Sequence, residues 1–172
     1  MPRDSVSRPG VRGSGAPASA PARDRDDSGR VRHAVEITKR VEFSACHRLY
    51  NPAFSAERNR RVFGICNNPN GHGHNYVLDV TLRGEPDPET GMIIDLKRLK
   101  EILEKLLLKR VDHKNLNLDV PFLSDCVPTV EMLVIRFWEV LDRRIPGCTL
   151  AELVLYESRT NFARYRGPQA AR

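Results

Sequence analysis

His72-Gly73-His74 opens a stretch of two-residue alternation that an extended strand satisfies and a helix does not. On a strand, side chains i and i+2 share one side; on a helix they diverge. Tyr76, Leu78, Val80 and Leu82 continue the even parity, while Gly73, Asn75, Asp79 and Thr81 take the other. The two histidines therefore share the buried face of a strand, at its N-terminal end. Imidazoles on an apolar face need partners, and one metal ion meets that need for both. A tetrahedral zinc with an open catalytic position takes three protein ligands, so a third histidine is expected from a second strand of matching parity. Val41, Phe43 and Ala45 set such a face, and His47 continues it. The remaining histidines differ in setting: His33 falls in a polar leader and His113 in a polar loop after a helix. Against the zinc reading of His47, His72 and His74 stands a plainer one, in which His-x-His is coincidence and His47 is a hydrogen-bonded strand-end residue.

Around this pair of strands the chain reads as α+β. The first strand covers about 36–49, a long polar loop spans 50–71, and the His-x-His strand runs to about Arg83. Gly84 to Gly91 is a turn, Met92 to Ile94 a short strand end, and Asp95 a helix N-cap. Leu96, Leu99, Ile102, Leu103, Leu106 and Leu107 repeat at helical spacing, with lysines and glutamates between them. A second helix starts at Thr129, with Leu133, Val134, Phe137, Trp138 and Leu141 as its stripe. Leu150 to Glu157 alternates as a third strand and Phe162 to Arg166 as a fourth. The expectation is an antiparallel four-stranded sheet with two helices on one face.

Residues 1–35 hold almost no large apolar side chain and are rich in Pro, Gly, Ser, Arg and Asp. Such a segment cannot offset its ordering entropy, so a disordered extension is expected there. Asp4, Asp24, Asp26 and Asp27 argue against a mitochondrial presequence. A folded domain follows at 36–167, then a short tail at 168–172. No apolar run approaches the roughly 20 residues that cross a bilayer, and no secretory leader is visible. Cys46, Cys66, Cys126 and Cys148 lack Cys-x-x-Cys spacing and read as reduced thiols, so a cytoplasmic protein is expected. The formal net charge of +6 fits either an anionic small-molecule substrate or weak attraction to nucleic acid.

Six more positions carry chemistry. Cys66, six residues before His72, has three roles open to it: a fourth zinc ligand, a free thiol beside a catalytic zinc, or an inert buried cysteine. A neighbouring cation acidifies a thiol into a usable base. Asp112-His113 is either an acid–base pair or part of a solvated loop. Glu157 shares parity with Leu153 and Leu155, so it points inward; its carboxylate suits a guanidine-like N–H/NH2 edge or an arginine. Thr129 and Glu131 are explained by helix capping and the helix dipole, and a site role for them stays open.

Phe-Ser-Ala-Cys-His-Arg-Leu-Tyr (43–50), Phe-Gly-Ile-Cys-Asn-Asn-Pro-Asn-Gly-His-Gly-His-Asn-Tyr (63–76), Asp-Pro-Glu-Thr-Gly-Met (87–92), Asp-His-Lys-Asn-Leu (112–116) and Tyr-Glu (156–157) occur in this order. Together they resemble the 6-pyruvoyltetrahydropterin synthase family, over Glu36 to Gly167. The resemblance implies the tunnelling fold, in which subunits form a trimeric barrel and two barrels stack as a homohexamer with active sites at subunit interfaces. It implies catalytic zinc on His47, His72 and His74, Cys66 as proton-abstracting base working with Asp112 and His113, Glu157 as pterin anchor, and Thr129 and Glu131 in the pocket. The implied substrate is 7,8-dihydroneopterin triphosphate, with no nucleic acid or membrane partner. The related 6-carboxytetrahydropterin synthases of queuosine synthesis resemble the chain too, but their cysteine usually precedes the His-x-His pair by four residues rather than six. A non-catalytic zinc or nucleic-acid-binding module is the alternative from another class, and it leaves Glu157 unexplained. Cys46 stands where the family often has Ser; its parity, opposite to His47, points to packing.

Overall fold

The computed structural model describes residues 33–169. The expected extension, apart from 33–35, and positions 170–172 of the expected tail lie outside them. Strand β1 (Val35–His47) pairs antiparallel with β2 (His72–Gly84) along its whole length, from Val35 opposite Gly84 to His47 opposite His72. Antiparallel pairing continues from β2 to β4 (Thr149–Tyr156) and from β4 to β5 (Phe162–Tyr165). The expected four strands are all present. A fifth, β3 (Lys114–Asn115), adds to the free edge of β1 and runs parallel to it, giving the order β3-β1-β2-β4-β5. Two residues have no periodicity to read. Backbone bonds from His113 N to Ser44 O (2.6 Å) and Leu116 N to Cys46 O (2.8 Å) hold them.

One face of the sheet is apolar. Val41, Phe43 and Ala45 from β1, Tyr76 to Leu82 at even positions from β2, and Leu153 and Leu155 from β4 join one core with the helices. Phe43 stacks on Tyr76 and meets Phe137 edge-on. The other face carries matched polar pairs across β1 and β2: Thr38 with Thr81, Arg40 with Asp79, and Ser44 with Asn75. Parity alone sorts these residues, because successive strand side chains alternate faces.

Helix α2 (Leu96–Leu103) is capped by Asp95, whose carboxylate accepts from Lys97 N at 2.8 Å. It continues through a π-helical stretch, Glu104–Leu108, into α3 (Lys109–Val111). The fully buried Leu99, Leu103, Leu107 and Val111 explain the departure. They recur every four residues, a period longer than the 3.6 of an α-helix, so a regular helix would turn the later ones off the sheet. The wider π turn keeps all four inward, and each buried leucine contributes roughly 1.5–3 kcal/mol. Helix α4 (Val130–Leu141) is capped by Thr129 and buries Leu133, Val134, Phe137, Trp138, Val140 and Leu141.

Two expectations need correction. Residues 50–71 are not a structureless loop: they contain helix α1 (Ala56–Phe63) and a 3-10 turn, Gly64–Asn67. Helix α1 has no apolar stripe; it is held by Asn59, whose amide is wholly buried and bonds Asn51 N, Asn51 O, Phe54 O and Ser55 O. Met92 to Ile94 is not a strand end. Met92 O accepts from Asp87 N inside the turn, and none of the described strands pairs with residues 92–94.

Candidate active site

The β1/β2 register places His47 opposite His72, and the side-chain alternation adds His74 on the same face. One potential ligand atom from each of the three rings lies within 4.8 Å of the others. His47 Nε2 and His72 Nε2 are 3.2 Å apart, close to the roughly 3.3 Å edge of a tetrahedron of zinc-bound nitrogens. His47 is buried, and its Nδ1–H donates to the Pro128 carbonyl at 2.8 Å. That bond fixes the tautomer and leaves Nε2 with its lone pair, the arrangement by which an outer partner prepares a metal-binding imidazole. The Tyr76 hydroxyl lies 3.4 Å from the same Nδ1, and burial pushes its pKa up.

Glu157, one residue past β4, turns its carboxylate toward the rings: Oε1 is 3.4 Å from His47 Nε2 and 3.7 Å from His74 Nε2. Burial lowers the pKa of both His47 and His74, which favours their neutral forms. Lone pairs of three imidazole nitrogens thus converge on one spot, with a carboxylate oxygen beside two of them. His74 Nε2 is buried there with no hydrogen-bond partner among the described residues. Unpartnered buried acceptors facing one another are costly, and a divalent cation removes the conflict. The residues fit a metal ion, and three nitrogens with a free fourth position are the donor set of a catalytic zinc.

The sequence-derived candidates fall into four places. His47, His72, His74 and Glu157 come together. Cys66 stands outside that set, half-buried in the 3-10 turn, with its carbonyl accepting from Leu49 N at 2.9 Å. From there Asn68-Pro69-Asn70-Gly71 returns the chain to His72 through a tight turn closed by Gly71 N to Asn68 O at 2.8 Å. Gly71 has φ +71°, and a Cβ there would lie 2.9 Å from the His47 carbonyl oxygen, so both the left-handed backbone and the close approach require glycine.

Asp112 and His113 form a pair, with His113 Nδ1 3.0 Å from Asp112 Oδ1. The other Asp112 contact is the Ser44 N–H at 2.9 Å, which is the main cause of its lowered pKa. His113 adopts φ +55° at the bend into β3. His113 borders a cleft of about 560 Å³ whose walls include Ser44, Ala45, Cys46, Gly73, His74 and Asn75. Asp112 and His113 are held at the free edge of β1 by the Ser44 backbone, whereas Glu157 faces His47 and His74. Cys46 lies on the polar face, as its parity requires. Thr129 accepts from Met132 N as an N-cap, and Glu131 is exposed in the first turn of α4. Pro128, whose carbonyl orients His47, was not singled out by sequence, because a backbone acceptor leaves no mark in residue type.

With this geometry in place, the comparisons with known proteins are specific. Residues 36–168 match the family described as 6-pyruvoyl tetrahydropterin synthase. A human protein named 6-pyruvoyl tetrahydrobiopterin synthase is 43% identical over 141 residues, covering 82% of this chain and 97% of the relative. The solved structure of a Caenorhabditis elegans 6-pyruvoyl tetrahydropterin synthase superposes with a TM-score of 0.75 at 40% identity, over 80% of this chain and 98% of that one. A 6-carboxy-5,6,7,8-tetrahydropterin synthase of Aquifex aeolicus is 29% identical over 161 residues, covering 76% of this chain and 97% of the relative. The family match over residues 36–168, with 43% identity over nearly the full length of the human relative, makes the chain a member of the 6-pyruvoyl tetrahydropterin synthase family.

Proposed function

We propose that the chain is a zinc-dependent 6-pyruvoyltetrahydropterin synthase, converting 7,8-dihydroneopterin triphosphate to 6-pyruvoyl-5,6,7,8-tetrahydropterin with release of triphosphate in tetrahydrobiopterin synthesis. The observation that carries the reading is the convergence of His47, His72 and His74 on one point faced by the Glu157 carboxylate. The three imidazoles would hold zinc, which when bound supplies a Lewis acid toward the substrate's side-chain oxygens.

The chain's own residues do the rest. Glu157 accepts from the N–H/NH2 edge of the pterin in a charge-assisted pair, which sets the substrate beside the histidines. Cys66 takes and returns protons at the side-chain carbons, and Asp112 keeps the His113 imidazole oriented for the same traffic. Thr129 and Glu131 border the pocket. The reaction rearranges hydrogens within the substrate while triphosphate leaves, so no nicotinamide or flavin takes part. Net positive charge favours the anionic substrate.

The active assembly is a homohexamer of two stacked trimers. Asp112 and His113 stand at the free edge of β1, outside the histidine cluster, and a site at a subunit interface would bring such groups together. Ile65 and Leu118, 93% and 81% exposed, are apolar surface that an interface would cover. Four free cysteines support a reducing, cytoplasmic setting. No described helix is long and apolar enough to cross a membrane.

The test is incubation of the zinc-loaded chain with 7,8-dihydroneopterin triphosphate, followed by identification of the pterin. The expected result is the 6-pyruvoyl product with one triphosphate released per pterin. A 6-carboxy product would reassign the chain to the related synthases, and no turnover would remove the enzymatic reading.

A further inference from the structure

Two segments on which the proposed reaction depends, the Asp112-His113 bend and the Cys66 turn, are tied to one short stretch, Ser44 to Leu49. Ser44 N donates to Asp112 Oδ1 at 2.9 Å, and Ser44 O accepts from His113 N at 2.6 Å. Cys46 O accepts from Leu116 N at 2.8 Å. The strand ladder of β3 ends there, yet pairing continues for one more residue through a side chain. Asn117 Oδ1 accepts from Arg48 N at 2.7 Å, and Asn117 Nδ2 donates to Arg48 O at 2.9 Å. A carboxamide thus replaces the next backbone unit of β3, since it offers the same donor and acceptor. On its other side Arg48 reaches the cysteine turn: Nε lies 3.1 Å from Asn67 O and 3.2 Å from Asn67 Oδ1, and Leu49 N donates to Cys66 O at 2.9 Å. The Arg48 guanidinium rests on the Tyr50 ring, 4.4 Å from its centroid. Asn67 is itself buried.

We propose that Asn117 and Arg48 are positioning residues for the reaction, holding the Cys66 turn at a fixed place beside the histidine-bearing strand and the Asp112-His113 bend. The proposal rests on the reading of Cys66 as the proton-transferring base. The physical case is that proton transfer needs heavy atoms within hydrogen-bond reach, and the described hydrogen bonds between the turn bearing Cys66, residues 64–68, and residues 48–50, which follow β1, are those of Arg48 to Asn67 and Leu49 to Cys66. Arg48 is specific to the task. Its planar fork places Nε toward Asn67 while the rest of the group stacks on Tyr50, and a lysine ammonium cannot do both.

The experiment compares Asn117→Ala, Asn117→Asp, Arg48→Lys and Cys66→Ala with the full-length wild type, all zinc-loaded. It reads zinc content, melting temperature, kcat and KM for triphosphate release, and peptide-resolved alkylation of Cys66 by iodoacetamide. Expected for Asn117→Ala and Arg48→Lys is zinc retained, KM nearly unchanged, kcat lower by about ten- to a hundredfold, and faster Cys66 alkylation as the turn loosens. Asn117→Asp keeps the acceptor and should recover part of kcat. A fall in melting temperature with kcat and Cys66 alkylation unchanged would overturn the positioning role and leave a structural one. Triphosphate release retained by Cys66→Ala would instead overturn the base assignment, so the two failures are told apart.

Discussion

His47 and His72 face each other across the first cross-strand pair of the sheet, Nε2 to Nε2 at 3.2 Å, while the single N–H of His47 is held by the Pro128 carbonyl. The facing nitrogens are therefore arranged as ligands. Purified wild type should carry about one zinc ion per chain, and His72→Ala should lose both metal and turnover. Metal analysis alongside triphosphate release checks this; full turnover by metal-free wild type would refute the site.

Cys66 lies outside the three-histidine group, so Cys66→Ala should keep its zinc. Triphosphate release should fall by about a hundredfold or more, since a positioned proton-transfer group contributes on that order. Zinc lost together with activity would make Cys66 a ligand instead.

Glu157→Gln keeps size and shape but removes the charge proposed to face the pterin edge. Pterin binding should weaken by ~1–3 kcal/mol, the range for a hydrogen bond to a charged group or a buried partner left unmatched. Equilibrium binding of a non-reactive pterin to the zinc-loaded variant reads this directly. Unchanged affinity would remove the anchor role.

Burial holds His47 and His74 below the ordinary imidazole value of 6.5. The unfolded chain then binds protons that the folded one refuses, so this stability is complete above about pH 6.5 and is lost as pH falls toward the folded-state values. Metal-free protein should melt at a lower temperature at about pH 5.5 than at about pH 7.5. A melting temperature flat across that interval would show that the rings are not desolvated as described.

Asn59, fully buried, makes four side-chain hydrogen bonds within the α1 segment. Replacing it with alanine strands backbone groups of Asn51, Phe54 and Ser55. A loss of about 1–3 kcal/mol in chemical denaturation is expected, together with faster proteolysis within residues 50–68.

Much of this was legible beforehand because strand parity is a strong signal. His47, His72 and His74 share parity with a buried apolar set, and Glu157 shares it with Leu153 and Leu155, so their convergence follows from alternation plus one register. Asp95 and Thr129 were readable as caps for the same local reason. What was not legible depends on long-range bonding. Helix α1 lacks a stripe and is held by one amide, β3 is two residues bonded to Ser44 and Cys46, and the 50–71 segment therefore looked structureless. The π turn was hidden in plain spacing: Leu99, Leu103, Leu107 and Val111 recur every four, and a helical assignment tolerates that drift until three-dimensional packing has to accommodate it. The separation of Asp112-His113 from the three-histidine cluster follows from their attachment to the Ser44 backbone at the β1 edge, which only the fold reveals.

That attachment has a genetic consequence. If one copy contributes histidines to a cavity and its neighbour contributes the Asp112-His113 bend, a His72→Ala chain and an Asp112→Ala chain are each inert alone but damaged in different halves. Mixed in one oligomer, some interfaces inherit both healthy halves. Two null alleles of this gene should therefore complement one another in a heterozygote, whereas two lesions among His47, His72 and His74 should not.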